Sequence, residues 1–388
     1  MWQKNVRYLD YNASSGITVN VRKKLIETLG RADLYFANPS SQHQLGQQSQ
    51  QLLMRAGMKI ASSLGEKIDS NQLVFTSSGT ESNQTVIRSA MKFADAIIIG
   101  AGEHSASYDL LSETQPGIRF EELPFLSNGQ YDLEFLKELL NDVKQSGCSK
   151  VFLSLFWANN ETGALTSLPK LDAVLRSSGL SISLHLDGAQ VWGKMVIDLD
   201  KTPANYITFS GHKIGAPAGC GVIWVRPGAV LHPLITGAQN HQLRGGTENI
   251  FGLTALSFAA EDLHPAQFIT HTSALRTQLE NGLREFSVKI WGKDAERISN
   301  TCRFSILGFE SYENWVELFD LRGFAVSHGS ACKSSVIEPS RVLLKMGASR
   351  GEALNTIRLS FGLQNQSSDV DDFLMAFKAI LSEKKGRS

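Results

Sequence analysis

Short apolar runs with the length of β-strands alternate with segments of helical periodicity through the first two thirds of the chain. Runs such as AIIIG at residues 96–100 and VFLSLFW at 151–157 are apolar almost throughout, as strands buried on both faces of a sheet must be. This alternation predicts an α/β fold in which a mainly parallel sheet is flanked by helices. The predicted strands are residues 72–77, 96–100, 151–157, 182–187, 206–210 and 221–225.

The pattern changes after about residue 260. A helical segment at 274–286 is followed by shorter strand-like runs at 302–307, 325–327 and 356–361 and by a final helix at 370–384. A chain of 388 residues is long enough for two or three domains of roughly 150 residues each. We therefore predict a second, smaller α/β domain in the C-terminal part.

Composition narrows the functional classes. Lys plus Arg and Asp plus Glu each number 38, so we expect no broad attraction to nucleic acid or to an acidic membrane. The apolar runs fall far short of the roughly 18 residues of a membrane helix, and the N-terminus lacks a secretory pattern. The four cysteines have neither paired nor metal-ligand spacing, which favours free thiols, no metal site and a cytoplasmic location.

Residues 77–82 (SSGTES) follow one predicted strand and open a helical segment. Small residues such as Gly79 let the backbone approach a ligand closely. The free N–H groups of a helix N-terminus, here beginning near Gly79 and Thr80, suit a phosphate. An ordinary helix cap explains the same residues, because Ser or Thr followed by Glu is also capping chemistry.

An acid and a lysine follow two later strands. Asp187 ends the run 182–187, where it could hold a protonated ring nitrogen, a metal ion or a ribose, or merely cap a turn. Lys213 follows the run 206–210 and could form an imine with an aldehyde, or be a solvated loop lysine. With the phosphate motif, these are the three contacts that pyridoxal 5′-phosphate needs, so we predict this cofactor. The chain has no Rossmann or Walker A glycine motif and no zinc spacing.

Three further polar residues follow predicted strands. His104 could stack on a planar cofactor and relay protons. The amides of Asn159 and Gln190 could donate to a cofactor hydroxyl. A satisfied core histidine and a turn asparagine are equally good interpretations of His104 and Asn159 taken singly.

The C-terminal part adds an arginine and a cysteine. Arg358 lies in the alternating run TIRLSF, and an arginine in such a run usually has an anion or carboxylate partner, which a structural salt bridge would also supply. Cys332 lies among small and polar residues next to a lysine, which could favour its thiolate. Cys148 and Cys220 are weaker candidates, and Cys302 is typical of a small core residue.

These residues resemble the cysteine desulfurases of the NifS/IscS type, within the class V aminotransferase branch of the fold-type I pyridoxal phosphate enzymes. The resemblance extends over nearly the whole chain, and its segments are jointly specific. They are residues 8–13, 38–41 with His43 and Gly46, 76–83, 103–104, 159–163, 187–190, 210–213, 244–247, 327–332, 338–340 and 357–360.

The resemblance implies a fold and an assembly. The fold would be that of a fold-type I transferase, with a large cofactor-binding domain at residues 16–262. Residues 1–15 and 263–388 would form a small domain that carries the cysteine loop and the substrate arginine. The protein would be a homodimer, because Thr247 matches a threonine that completes the phosphate site of the partner subunit in this family.

The resemblance also gives each candidate residue a role. Lys213 would hold the cofactor covalently, Asp187 would pair with its pyridine nitrogen, and His104 would stack on its ring as a catalytic residue. Asn159 and Gln190 would lie near the ring hydroxyl. The phosphate would be held by Gly79, Thr80, Ser210 and His212, with Thr247 contributed across the dimer.

The implied reaction takes sulfur from L-cysteine and gives L-alanine. Arg358 would bind the substrate carboxylate with help from Asn159, and Cys332 would become a persulfide. A sulfur-acceptor protein would then receive the sulfur for iron–sulfur cluster assembly or thiolation. A selenocysteine lyase, another class V enzyme such as a small-amino-acid aminotransferase, and a catalytically idle scaffold are the alternatives.

Overall fold

The computed structural model describes residues 6–31, 36–113, 115–329 and 338–385. Within these ranges, strands and helices alternate as the sequence predicts. The strands are β1 (Arg7–Tyr8), β2 (Leu73–Thr76), β3 (Ala96–Gly100), β4 (Arg119–Leu123), β5 (Lys150–Phe156), β6 (Ser181–Asp187), β7 (Tyr206–Ser210), β8 (Gly221–Val225), β9 (Val288–Trp291), β10 (Thr301–Ile306), β11 (Phe324–Ala325) and β12 (Thr356–Ser360). The α-helices are α1 (Val19–Leu29), α2 (Gln44–Ser62), α3 (Gly79–Ala90), α4 (Ser105–Tyr108), α5 (Leu133–Gln145), α6 (Leu168–Ser178), α7 (Ile250–Glu261), α8 (Pro265–Leu283), α9 (Trp315–Asp320), α10 (Arg341–Lys345), α11 (Arg350–Leu354) and α12 (Ser367–Lys385).

The larger sheet has seven strands within the described residues, in the order β2-β8-β7-β6-β5-β3-β4. Strands β4, β3, β5, β6 and β7 pair in parallel, and β8 is antiparallel to both β7 and β2. Strand β2 therefore has the same direction as the parallel strands. This confirms the predicted α/β fold with a mainly parallel sheet. It also brings the carboxyl ends of β2, β3, β5, β6 and β7 to one edge.

The apolar strands are buried on both faces. Along β3, Ile98 packs into the core on one face, while Ile97 and Ile99 pack on the other face with Val86 and Ile87 of α3. Successive side chains of a strand point to opposite faces, so a strand covered by helices on both sides needs apolar residues at every position. Helix α5 shows the complementary pattern, with its leucines buried on one side only.

A three-stranded antiparallel sheet, β12-β10-β9, and the short parallel pair β1-β11 form a second unit within the described residues. Its core is rich in phenylalanine, with contributions from β10, β12, α8, α9 and α12. The separation of this core from the larger one agrees with two structural units. The exact domain bounds, 16–262 against 1–15 with 263–388, stay a prediction.

Three of the described strands are absent from the sequence prediction. Strand β1 has only two residues. Strand β4 (RFEEL) is the edge strand of the large sheet and is half-buried at four of its five positions, so it has no apolar run. Strand β9 is an edge strand of the small sheet. Helix α8 begins at Pro265, earlier than the predicted residue 274, with proline in its first turn where no N–H donor is needed. None of the described helices combines the length and apolar character needed to cross a membrane.

The N-terminal segment joins the two units. Leu9 donates its N–H to Ala325 O, and Asp10 pairs with Ser360 of β12 in an isolated bridge. Five residues later, Ser15 donates its N–H to His212 O beside the large sheet. The intervening residues, which include Asn12, therefore pass between the small sheet and the carboxyl edge of the large one.

The phenylalanine core gives a prediction about stability. Phe373 of α12 is fully buried, and its ring stacks on that of Phe319 at 4.5 Å between centroids. Phe373→Ala should lower the free energy of unfolding by about 3–5 kcal/mol, through lost burial and the cavity left behind. Urea unfolding measures this loss. Met375→Ala on the same helix is the matched control, because Met375 is 63% exposed, and equal losses in both variants would contradict the assigned packing.

Candidate functional site

Polar residues predicted to be functional come together at the carboxyl edge of the large sheet. Each follows a different strand: Gly79 follows β2, His104 follows β3, Asn159 follows β5, and Asp187 is the last residue of β6. Lys213 lies in a single 3₁₀ turn directly after β7. The parallel order of these strands is what makes five separate sequence segments converge.

The N-terminus of α3 forms one end of this cleft. Ser78 caps the helix by accepting the N–H of Glu81 at 3.1 Å, and Gly79 and Thr80 occupy the first two helical positions. Their N–H groups have no acceptor within the helix, so they are available to an anion. A Cβ added at Gly79 would lie 3.2 Å from Ser210 Cβ, so the glycine lets α3 approach the end of β7. Capping and an anion site therefore coexist in the same residues.

Lys213 is largely buried and faces the N-terminal segment. Its Nζ donates to Asn12 O at 2.6 Å and to Ala13 O at 2.8 Å. Burial, reinforced by the positive charge of Arg358, lowers the pKa of the Lys213 amine to about 8. The amine is thus unusually easy to deprotonate, which is the property that imine formation requires.

Asp187 is held by two donors. Asn83 Nδ2 donates to Asp187 Oδ2 at 2.7 Å, and Ala189 N donates to Oδ1 at 2.9 Å. Asn83 is itself fixed because its Oδ1 accepts from Thr208 Oγ1 at 2.5 Å. Two hydrogen bonds leave lone pairs on the carboxylate for a further donor. The arrangement therefore presents a fixed acceptor toward the cleft.

Gln190 lies beside the lysine. Its Nε2 donates at 3.0 Å to Asn12 O, the oxygen that also accepts from Lys213 Nζ. Its Oε1 accepts from Lys194 Nζ at 2.5 Å. Gln190 and Lys194 are both buried, at 3% exposure each. The structure thus places Gln190 next to the predicted cofactor lysine. It also places Gln190 in a hydrogen bond with a second lysine, Lys194, which the sequence analysis did not identify.

Asn159 stabilises its own turn. Its Oδ1 accepts from the N–H groups of Glu161 at 2.9 Å and Thr162 at 3.0 Å, and its Nδ2 donates to Gly102 O at 3.4 Å. The interpretation as a turn asparagine is therefore correct. The second hydrogen of Nδ2 has no hydrogen bond within the described residues, so donation to a ligand is compatible with this structural role.

The two histidines occupy different positions. His104 is exposed and caps α4, its Nδ1 accepting from Ala106 N at 3.1 Å, which leaves the hydrogen of the neutral ring on Nε2. His212 is half-buried, with Nδ1 3.4 Å from Ser14 Oγ. Burial lowers the pKa of His212 to about 4, with a further contribution from the neighbouring lysines, so this ring is neutral at pH 7.

Arg358 has the carboxylate partner that the sequence predicts. Its Nη2 lies 2.6 Å from Asp10 Oδ1, and its Nη1 donates to Asn160 O at 2.9 Å. The Nε atom is buried and has no hydrogen-bond partner within the described residues. The structural salt bridge is thus present, and it fixes the guanidinium with one donor unused.

Two candidates are less directly placed. Thr247 is exposed and lines a small cavity together with Ser77 and Arg244. Cys332 lies outside the described residues. The described positions on either side of it are anchored near Arg358 and Asn159: Gly329 O accepts from Arg358 Nη1 at 3.4 Å, and Ser340 Oγ donates to Glu161 at 2.6 Å.

The other cysteines differ from one another in exposure. Cys302 is fully buried in the small core, as predicted, and burial raises its pKa. Burial also raises the pKa of Cys220, to about 11, while Cys148 is half-buried. Neither buried thiol would ionise readily at neutral pH.

The donor set fits pyridoxal 5′-phosphate. Free N–H groups at a helix N-terminus suit the phosphate, a fixed carboxylate suits a protonated ring nitrogen, and a buried amine of lowered pKa suits the aldehyde. These groups belong to α3, β6 and the turn after β7, which are neighbours at one sheet edge.

Comparison with known proteins agrees with this assignment. The family model described as Aminotransferase class-V matches residues 7–373. The chain is 33% identical to a cysteine desulfurase of Gluconacetobacter diazotrophicus, over 99% of this chain and 95% of the relative, and 32% identical to cysteine desulfurase NifS of Azotobacter vinelandii, over 98% and 94%. A NifS-like protein from Rickettsia africae superposes with a TM-score of 0.85 at 28% identity, over 97% of this chain and 99% of that chain.

The amine environment gives a prediction about pH. Apoprotein mixed with pyridoxal 5′-phosphate should gain visible absorbance at a rate that rises with pH and levels off above about pH 8, because only the neutral Lys213 amine reacts. Arg358 favours the neutral amine, whereas Asp10 and Asp187 partly oppose it. The control is a lysine derivative with a blocked α-amine, since its side-chain amine has a pKa of about 10.4. A protein rate that keeps rising in parallel with that control would contradict the lowered pKa.

Proposed function

Because the chain belongs to the aminotransferase class-V family, within its cysteine desulfurases of the NifS and IscS type, we propose that it removes sulfur from L-cysteine. The products are L-alanine and a persulfide on Cys332. The cofactor of this family is pyridoxal 5′-phosphate. The observation that carries the proposal is the buried Lys213 amine, which lies at the sheet edge where Asp187 and the N-terminus of α3 also end.

When bound, the cofactor withdraws electrons from the substrate Cα and so makes the Cα proton acidic and the Cβ–S bond breakable. Asp187 keeps a proton on the ring nitrogen by accepting it in a hydrogen bond. Asn83 and the Ala189 N–H hold that carboxylate in place from the other side. The phosphate is held by Gly79, Thr80 and neighbouring groups at the cleft end.

Lys213 acts twice in the proposed reaction. It would hold the cofactor, and its amine, when free, would remove the substrate Cα proton as a general base. An amine with a pKa of about 8 is suited to both steps, because it is partly neutral at physiological pH and still basic enough to take a proton. The carbonyl oxygens of Asn12 and Ala13 accept hydrogen bonds from the ammonium group that results.

Arg358 binds the substrate carboxylate. Its Asp10 and Asn160 contacts fix the plane of the guanidinium. Asn159, next in the chain to Asn160, assists from the β5 side. A positioned carboxylate fixes the substrate so that its Cα proton faces Lys213.

Cys332 accepts the sulfur. Its thiolate attacks the substrate sulfur, a sulfur–sulfur bond forms, and the Cβ–S bond breaks with its electron pair passing to the substrate carbon skeleton. That skeleton takes up protons and leaves as alanine. The persulfide then passes to an acceptor protein, for iron–sulfur cluster assembly or for thiolation.

We also propose that the protein is a homodimer. Thr247 is exposed and lines the same small cavity as Ser77, which precedes the N-terminus of α3. From there it can complete the phosphate site across a subunit interface. Light scattering on the holoenzyme, together with cofactor retention in Thr247→Ala, tests this assembly.

Cys332→Ser separates sulfur transfer from cofactor binding. The variant should bind pyridoxal 5′-phosphate normally, yet lose alanine and persulfide formation by about a hundredfold or more, because a hydroxyl cannot replace the thiolate nucleophile. Alanine, persulfide and pyruvate are measured after incubation with L-cysteine. Cys148→Ser, at a half-buried cysteine, is the control and should keep full activity. Full turnover in Cys332→Ser would refute the assignment, and keto acid in place of alanine would favour an aminotransferase.

Asp187→Asn tests the electronic role of the carboxylate. The neutral amide cannot hold the ring nitrogen in its protonated form, so kcat should fall by about a hundredfold, within the range of a lost acid–base contribution. The affected step is measured by the rate at which the Cα proton of the substrate exchanges for deuterium from heavy water. Asp200→Asn is a surface control. Unchanged exchange in Asp187→Asn would contradict the proposed role.

A further inference from the structure

Lys194 is a buried lysine for which the proposed reaction has no use. It lies seven residues after the end of β6, at 3% exposure, and its main-chain N–H donates to Val191 O at 3.0 Å. Its Nζ donates to Asn12 Oδ1 at 2.8 Å and to Gln190 Oε1 at 2.5 Å. Within the described part of the chain, no carboxylate lies at ion-pair distance from it. A lysine buried against two neutral oxygens is costly, so its position calls for a functional reason.

The two contacts determine which way the Gln190 amide faces. The oxygen and nitrogen of a glutamine amide are nearly alike in shape, so the neighbouring donors and acceptors set the orientation. Here Oε1 meets the Lys194 donor and Nε2 meets the Asn12 carbonyl oxygen. A flipped amide would bring two oxygens together at Asn12. The structure therefore fixes Gln190 in one orientation.

That orientation matters because Gln190 is next to the cofactor lysine. Gln190 Nε2 and Lys213 Nζ donate to the same oxygen, Asn12 O, at 3.0 and 2.6 Å. One hydrogen of Nε2 is used in this bond, and the other is available to a ligand bound at Lys213.

We propose that Lys194 is a positioning residue that holds Gln190 with its N–H, rather than its carbonyl oxygen, toward the ring oxygen of the cofactor. This inference rests on the proposed cofactor site. An N–H donor stabilises the anionic ring oxygen, whereas a carbonyl oxygen in its place would repel it. Lys194 thus makes the bound cofactor lose its proton more readily, through Gln190 and without touching the ring.

The test is a pH titration of the visible absorbance of the holoenzyme, without substrate. Lys194→Met keeps the length of the side chain and removes its donor, which leaves Gln190 oriented by the Asn12 oxygen alone, so the titration midpoint should rise by about one pH unit. Lys201→Met makes the same substitution at an exposed lysine paired with Asp198, and should leave the midpoint unchanged. An unmoved midpoint in Lys194→Met would overturn the inference.

A double-mutant cycle shows whether Lys194 acts through Gln190. Gln190→Met should raise the midpoint by itself, and adding Lys194→Met should raise it no further. Fully additive shifts would mean that Lys194 acts independently of Gln190, and would overturn the proposal.

A second variant keeps the test decisive if Lys194→Met folds poorly. Lys194→Gln retains a donor for Gln190 Oε1 but removes the amine, so its midpoint should stay within about 0.3 units of wild type. An upward shift as large as that expected for Lys194→Met would assign the effect to charge instead of orientation. A wild-type protein that gains no visible absorbance with pyridoxal 5′-phosphate would overturn the cofactor site itself. A wild-type protein with normal absorbance and a Lys194→Met variant with the same titration midpoint would overturn only the role of Lys194.

Discussion

The site depends on the hydrogen bonds of one buried asparagine. Asn12 has a main-chain oxygen that accepts from the cofactor lysine and from Gln190, while its side chain and N–H reach the small sheet. Buried polar groups must be satisfied, so these bonds hold the two structural units in one relative position at the cleft. The partners are Lys213, Gln190, Lys194, Asn160, Asn300, Thr301 and Ser360.

The same region gathers several buried positive groups. Burial lowers the pKa of both Lys194 and Lys213, and the positive charge of Arg358 lowers both further. Arg303, opposite Arg358 in the β10–β12 ladder, is fully buried, and burial lowers its pKa to about 10. Its nearest carboxylate is that of Glu161 at 3.5 Å. A phosphate and a substrate carboxylate are anions that such a group of cations attracts.

Four of the candidate residues that the sequence identified lie at or just after the end of a buried apolar strand. Gly79, His104, Asp187 and Lys213 could be identified because the carboxyl ends of parallel strands meet, and polar residues there are placed by topology. Lys194 was not identified because it lies after a helical turn in a segment with no chemical motif, and Asn83 was not identified because it lies inside a helix and not at the end of a strand. Strands β4 and β9 were not predicted from the sequence because they are edge strands, and edge strands do not need to be apolar on both faces.

Local patterns were enough to predict the alternation of strands and helices, the cofactor and the residues nearest to it, because periodicity and the residue after each strand are properties of short segments. The surroundings of those residues follow from the three-dimensional fold. The lowered pKa of Lys213, the pairing of Arg358 with Asp10, and the contact of Lys194 with Gln190 join residues far apart in the chain. Burial and charge proximity depend on how the N-terminal segment crosses between two sheets, and no local pattern encodes that path.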